Sequence, residues 1–133
     1  MAITQGAHHI GLTVPNIDQA RDFFVDVLEL RLVGAEPNYP AYFVSDGTAM
    51  LTLWQAADPE SATPFDRKTN IGLHHFALKV DGVGTLNAVY EKLKTTAGVE
   101  IEFAPEPLGN GPTQHMMFYI PGGIRMELIA AGS

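Results

Sequence analysis

The chain of 133 residues contains no cysteine. That excludes a disulfide framework and a thiolate metal site, and it fits a reducing cytoplasm. Basic residues are few: eight Lys and Arg stand against fifteen Asp and Glu, for a net charge of −7. The eight are scattered, with only Arg67 and Lys68 adjacent. Nucleic-acid binding needs clustered cations against phosphates, so nucleic acid is not expected as a partner. No apolar run approaches the ~20 residues of a membrane span. The N-terminus lacks a basic segment followed by an apolar one, so no signal peptide is expected. What remains is an ordinary globular composition, long enough for one compact domain with its own core.

Two stretches organise the chain. His8-His9-Ile10-Gly11-Leu12-Thr13-Val14 and His74-His75-Phe76-Ala77-Leu78-Lys79-Val80 lie 66 residues apart. Each has a histidine pair, an apolar residue, a small residue, a leucine, a variable residue and a valine. The alternation is that of a strand. His9, Gly11 and Thr13 then share one face, and His8, like His74 in the repeat, points to the other.

After the first strand, Asn16 is a helix N-cap with Gln19 as its capping-box partner. Ala20, Phe23, Phe24, Val27 and Leu28 form one apolar stripe of a helix. Residues 35–41 hold two prolines and predict a loop. Residues 42–45 and 49–54 are strands joined by an Asp46-Gly47 turn, with Met50, Thr52 and Trp54 on one face. The polar stretch that follows predicts a linker, about residues 56–72. Then the plan restarts: strand 75–80, a helix with Leu86, Val89, Tyr90 and Leu93 buried, strand 99–103, a proline-rich loop at 105–112, and strands 116–120 and 124–130. The closing hairpins also align, residues 43–53 with 118–128, at an offset of 75. Two offsets, each held over whole elements, predict a tandem repeat of βαβββ modules in an α+β fold. The chain is expected to be a single domain over 1–133, with module one about 5–55 and module two about 73–131.

The repeat makes His9 equivalent to His75 and Thr52 equivalent to Glu127. A two-fold arrangement of modules would gather these four positions around one centre. Two imidazoles and one carboxylate leave coordination positions open on a metal, as Lewis-acid chemistry requires. With no thiolate, the ion would be divalent Mn, Fe, Ni, Co or Zn. The alternative is packed histidines and an outward-facing Glu127 on a half-buried strand. Arg125 lies two residues before Glu127 on the same face, placed to hold a substrate carboxylate or oxyanion, or else to sit at the surface at a strand end. Thr52, Trp54, Tyr42 and Met50 would line an apolar cavity wall or pack the core.

The stretches from His9 through Phe24, His75-Phe-Ala-Leu-Lys-Val and Pro121-Gly-Gly-Ile-Arg-Met-Glu127-Leu resemble the vicinal oxygen chelate superfamily. That group holds glyoxalase I, bleomycin-resistance proteins and extradiol dioxygenases. The resemblance covers roughly residues 5 to 130. It implies paired βαβββ modules forming an incomplete mixed barrel around a metal, with helices outside. It implies a small-molecule substrate bound through neighbouring oxygens, and a homodimer. In extradiol dioxygenase-like members a His and a Tyr near His115 and Tyr119 act in acid-base roles, which makes these two candidate catalytic residues beside Glu127. Thr52 departs from the four-ligand glyoxalase I pattern, and Gly11 stands where fosfomycin-type transferases would have a hydroxyl. The expected function is a divalent-metal enzyme on a small oxygen-bearing substrate, a lyase or isomerase before a dioxygenase. The alternative classes are a non-enzymatic small-ligand binder of the bleomycin-resistance type and a metal-stabilised structural dimer.

Overall fold

The computed structural model describes residues 1–132. The chain forms two compact units, Met1–Ala62 and the remainder from Thr63. Each unit is a βαβββ module. The first comprises β1 (Ile10–Val14), α1 (Ile17–Asp22), β2 (Arg31–Glu36), β3 (Ala41–Ser45) and β4 (Met50–Gln55). The second comprises β5 (Phe76–Val80), α2 (Gly82–Lys94), β6 (Glu100–Pro107), β7 (Gln114–Tyr119) and β8 (Arg125–Ala130).

The two sheets have the same plan. Their orders are β1-β4-β3-β2 and β5-β8-β7-β6, each with its first and last strands parallel and its other neighbours antiparallel. The register repeats as well. Gly11 pairs with Thr52, and Ala77 pairs with Glu127. Ala77 is Gly11 plus 66 and Glu127 is Thr52 plus 75, so both offsets meet in one residue pair. Neither sheet closes on itself.

Alternation divides each sheet into two faces. In the second unit Phe76, Leu78, Met116, Phe118, Met126 and Leu128 are buried on the face that α2 covers, with Leu86 and Leu93 of that helix fully buried. Burial of each such side chain stabilises by about 1.5–3 kcal/mol. His115, Met117, Tyr119, Arg125 and Glu127 take the opposite face by parity. In the first unit Leu12, Leu51 and Leu53 pack toward α1, and Gly11, Thr52 and Trp54 take the other side.

Asn16 caps α1, its Oδ1 accepting from the Gln19 N–H at 3.0 Å. The helix then widens into a π-helical turn at Phe23–Val27, where the Leu28 N–H reaches back to the Phe23 carbonyl. The extra residue lets consecutive Phe23 and Phe24 both reach the core, while Leu28 is only half-buried.

Two elements differ from expectation. β2 occupies part of the predicted loop at 35–41, and β6 runs through Pro105 into the predicted loop at 105–112. Both are edge strands. An edge needs hydrogen bonds on one side only, so proline is tolerated there. Both strands are also bulged, between Leu32 and Gly34 in β2 and at two places in β6, which breaks the period-two pattern.

Candidate functional site

In the second unit, polar groups gather on the sheet face that α2 does not cover. Glu127, on β8, is 8 % exposed between apolar neighbours. Each of its carboxylate oxygens meets an imidazole. His75 Nε2 lies 3.1 Å from Oε1, and His115 Nδ1 lies 2.6 Å from Oε2. His75 immediately precedes β5, whose next-but-one residue Ala77 pairs with Glu127. His115 comes from β7, with its ring edge against Phe103 at 5.1 Å. A buried carboxylate is stable only when its oxygens are met by donors or a cation, and here a ring nitrogen stands at hydrogen-bond distance from each oxygen.

A second cluster adjoins the first. Arg125 holds Glu102 in a bidentate pair, Nε to Oε1 and Nη2 to Oε2, both at 2.8 Å. Tyr119 donates its hydroxyl to Glu102 Oε1 at 2.9 Å, and Arg67 Nη1 donates to the same oxygen at 2.6 Å and to the Tyr119 oxygen at 2.9 Å. The Arg125 hydrogen bonds above all, helped by Tyr119 and Arg67, pull the Glu102 carboxyl down to about 2. Burial, and then the adjacent Glu102 carboxylate, push the Tyr119 phenol up.

Arg67 is delivered by a tight turn. Asp66 Oδ1 accepts from the N–H groups of Lys68 and Thr69, and the Asn70 side chain donates to the Pro64 carbonyl. A cavity of about 260 Å³ lies there, lined by Phe65, Asp66, Arg67, Lys68 and Tyr119.

His74 joins the two clusters. Its Nδ1 is 2.8 Å from His75 Nδ1 and 3.5 Å from Arg125 Nη1. Burial, then the charges of His75 and Arg125, push the His74 imidazole below its ordinary value. Strand alternation would turn His74 away from Glu127. Both histidines, however, precede the first residue of β5, where alternation has no hold on them.

The first unit has a simpler face. Thr52 is 5 % exposed, and the Trp54 indole donates to its Oγ1 at 2.8 Å. A Cβ on Gly11 would stand 3.2 Å from that oxygen, so the glycine leaves room for the Thr52–Trp54 pair. Trp54 packs edge-on against Tyr39. His9 lies exposed ahead of β1, its Nδ1 2.9 Å from His8 Nδ1.

The structure thus brings His75, His115 and Glu127 together, and separately Tyr119 with Arg125. The groups that sequence reasoning missed are Glu102, Arg67 and the contacts of His74 to His75 and Arg125. One signal existed: Arg67-Lys68 is the only adjacent cationic pair. Glu102 was hidden because it is the extra residue of a bulge; Ile101 and Phe103 oppose consecutive residues Phe118 and Met117.

Among the described residues, no group of three or more His, Asp or Glu side chains is arranged to hold a metal ion together. The pair His75 Nε2 and Glu127 Oε1 does fit as part of a ligand set. Two donors about 2.1 Å from one ion and at right angles to each other stand about 3 Å apart. The observed 3.1 Å matches that spacing.

Comparison with known proteins agrees with this architecture. A relative from Actinomyces sp, a 2-epi-5-epi-valiolone epimerase, is 29 % identical over 149 residues, covering 92 % of this chain and 77 % of the relative. A glyoxylase/bleomycin resistance protein/dioxygenase domain from Frankia sp. EAN1pec superposes with a TM-score of 0.79 at 21 % identity, covering 98 % and 93 % of the two chains. The fosfomycin resistance protein FosX from Listeria monocytogenes gives 0.74 at 19 % identity, over 97 % and 95 %. Lactoylglutathione lyase from Agrobacterium tumefaciens gives 0.70 at 20 % identity, over 98 % and 96 %. The family model of the Glyoxalase/Bleomycin resistance protein/Dioxygenase superfamily matches residues 6–128, and the chain belongs to that superfamily.

Proposed function

We propose that the chain is a divalent-metal-dependent enzyme that moves a proton at a carbon beside a carbonyl, an isomerase or lyase reaction, on a small oxygen-bearing substrate. The observation that carries this is Glu127, a buried carboxylate with an imidazole at each oxygen. His75 and Glu127 would hold the ion. A divalent ion held there would draw electron density from a substrate oxygen and so acidify the neighbouring C–H bond.

The chain's own residues do the rest. His115, at 2.6 Å from Glu127 Oε2, takes up and returns a proton, and general acid-base catalysis of this kind contributes about 10²–10⁴ in rate. Phe103 holds the His115 ring in place. Arg125 is committed to Glu102 through its Nε and Nη2 groups. Arg67 and Lys68, at the cavity rim, are better placed to hold an anionic or hydroxyl-rich end of the substrate. The epimerase relative supports the reaction class, since inversion of a carbon beside a carbonyl can run by removal and return of its proton.

The test is elemental analysis of the purified protein beside Glu127→Ala, followed by NMR in D₂O with a simple α-hydroxyketone. About one metal per chain, lost in the variant, with deuterium appearing at the carbon beside the carbonyl, is the expected result. No metal after reconstitution with each ion would overturn the proposal.

A further inference from the structure

We infer that His74 is the positioning residue of a ligand: it accepts a hydrogen bond from the Nδ1–H of His75 and so leaves the His75 Nε2 lone pair facing Glu127. The inference rests on the reading of His75 as a metal ligand.

The direction of the proton follows from Arg125. A guanidinium only donates hydrogen bonds. Its Nη1 lies 3.5 Å from His74 Nδ1. At that distance the bond is weak, yet the positive charge alone disfavours an N–H on the nitrogen that faces it. His74 Nδ1 therefore presents a lone pair. His75 Nδ1 is 2.8 Å from that same nitrogen. Two imidazole nitrogens so close need one proton between them, and His74 does not supply it. The proton belongs to His75 Nδ1.

A neutral imidazole has one N–H, so His75 Nε2 is then bare. It faces Glu127 Oε1 at 3.1 Å. Two acceptors facing each other need something positive between them, a second proton or a metal ion. The nitrogen that a histidine offers to a metal is set by the hydrogen bond its other nitrogen makes. Here the carboxylate that often plays this part is replaced by another imidazole.

The first unit repeats the geometry independently. His8 and His9 meet through their Nδ1 atoms at 2.9 Å, with rings edge-on at 5.1 Å, against 5.0 Å for His74 and His75. In both units the pair precedes the strand, where the backbone is free to turn neighbouring side chains to one side.

The experiment is ¹⁵N NMR of histidine-labelled full-length protein, before and after Zn²⁺ is added, for wild type, His74→Phe and His74→Asn. Wild type is expected to show His75 protonated at Nδ1 without zinc, and to keep that proton when zinc moves the Nε2 resonance. His74→Phe removes the acceptor; it is expected to lose the tautomer preference and to bind zinc about 10–100-fold more weakly. His74→Asn, whose amide oxygen can accept in place of Nδ1, is expected to restore both. His75 protonated at Nε2 in zinc-free wild type, or an unchanged tautomer in His74→Phe, would overturn the inference. If wild type keeps the Nδ1 proton but binds no zinc, the positioning role stands and the ligand reading falls.

Discussion

Glu127 and His115 are hydrogen-bonded at 2.6 Å although they are two residues out of register on neighbouring strands, His115 being opposite Ile129. Such diagonal neighbours stand about 7–8 Å apart at Cα. The two side chains must lean along the sheet to meet. Replacing His115 by Gln preserves a donor but not the proton transfer. We expect kcat to fall by about 10²–10⁴ while bound metal per chain stays at the wild-type level. Loss of metal along with activity would make His115 a ligand instead.

The Glu102 carboxyl predicts a pH dependence. Its folded value, about 2, lies below the ordinary 4.5. Its contribution to stability is therefore fully present above about pH 4.5 and is lost as pH falls from there toward 2. Urea unfolding of Glu102→Gln at neutral pH should show a loss of about 1–2 kcal/mol, less than for a fully buried pair because the side chain remains 24 % exposed. The gap to wild type should close toward pH 2. A gap independent of pH would show that packing, not charge, makes Glu102 matter.

Arg67 is expected to act on substrate binding. Arg67→Ala should raise KM about tenfold or more, as expected when a charge-assisted hydrogen bond is removed, with a smaller change in kcat. Equal losses in kcat and kcat/KM would place the interaction in the transition state alone.

In the first unit, the Trp54–Thr52 hydrogen bond should be worth about 1 kcal/mol. A double-mutant cycle with Thr52→Val and Trp54→Phe measures it by urea unfolding. Additive losses would show that the two side chains do not couple.

Phe24 has no exposed surface and follows Phe23 directly in the π-helical turn. Phe24→Ala should cost about 3–5 kcal/mol. Calorimetry on this variant tests whether the widened turn, by burying two successive phenylalanines, carries a large part of the first unit's core.

Much of this fold is legible in the sequence because its central strands repeat cleanly. Ile10 to Val14 and Phe76 to Val80 alternate without interruption, and the two offsets fix the pairing of Gly11 with Thr52 and of Ala77 with Glu127. The outer strands are less legible: the sequence predicts the first part of β6 at 99–103 but not its continuation, and it does not predict β2. Leu32 and Val33 are largely exposed on β2, and prolines in β6 mimic a loop. The site divides in the same way. Glu127 and His75 stand on the regular strands or directly beside them. Glu102 belongs to a bulge, Arg67 to a turn held by Asp66, and His74 to a segment ahead of any strand, where spacing carries no direction.

The bulge at Glu102 ties the chemistry of this half to the length of its chain rather than to residue identity alone. Deleting that one position would restore a regular ladder between Ile101 and Phe103, and both Arg125 and Arg67 would lose their shared anion. The corresponding outer hairpin of the other half also has a bulge, one step earlier along its outer strand, and its extra residue is Val33. Duplicated halves can thus diverge in function through where a single residue is gained, with every neighbouring side chain left as it was.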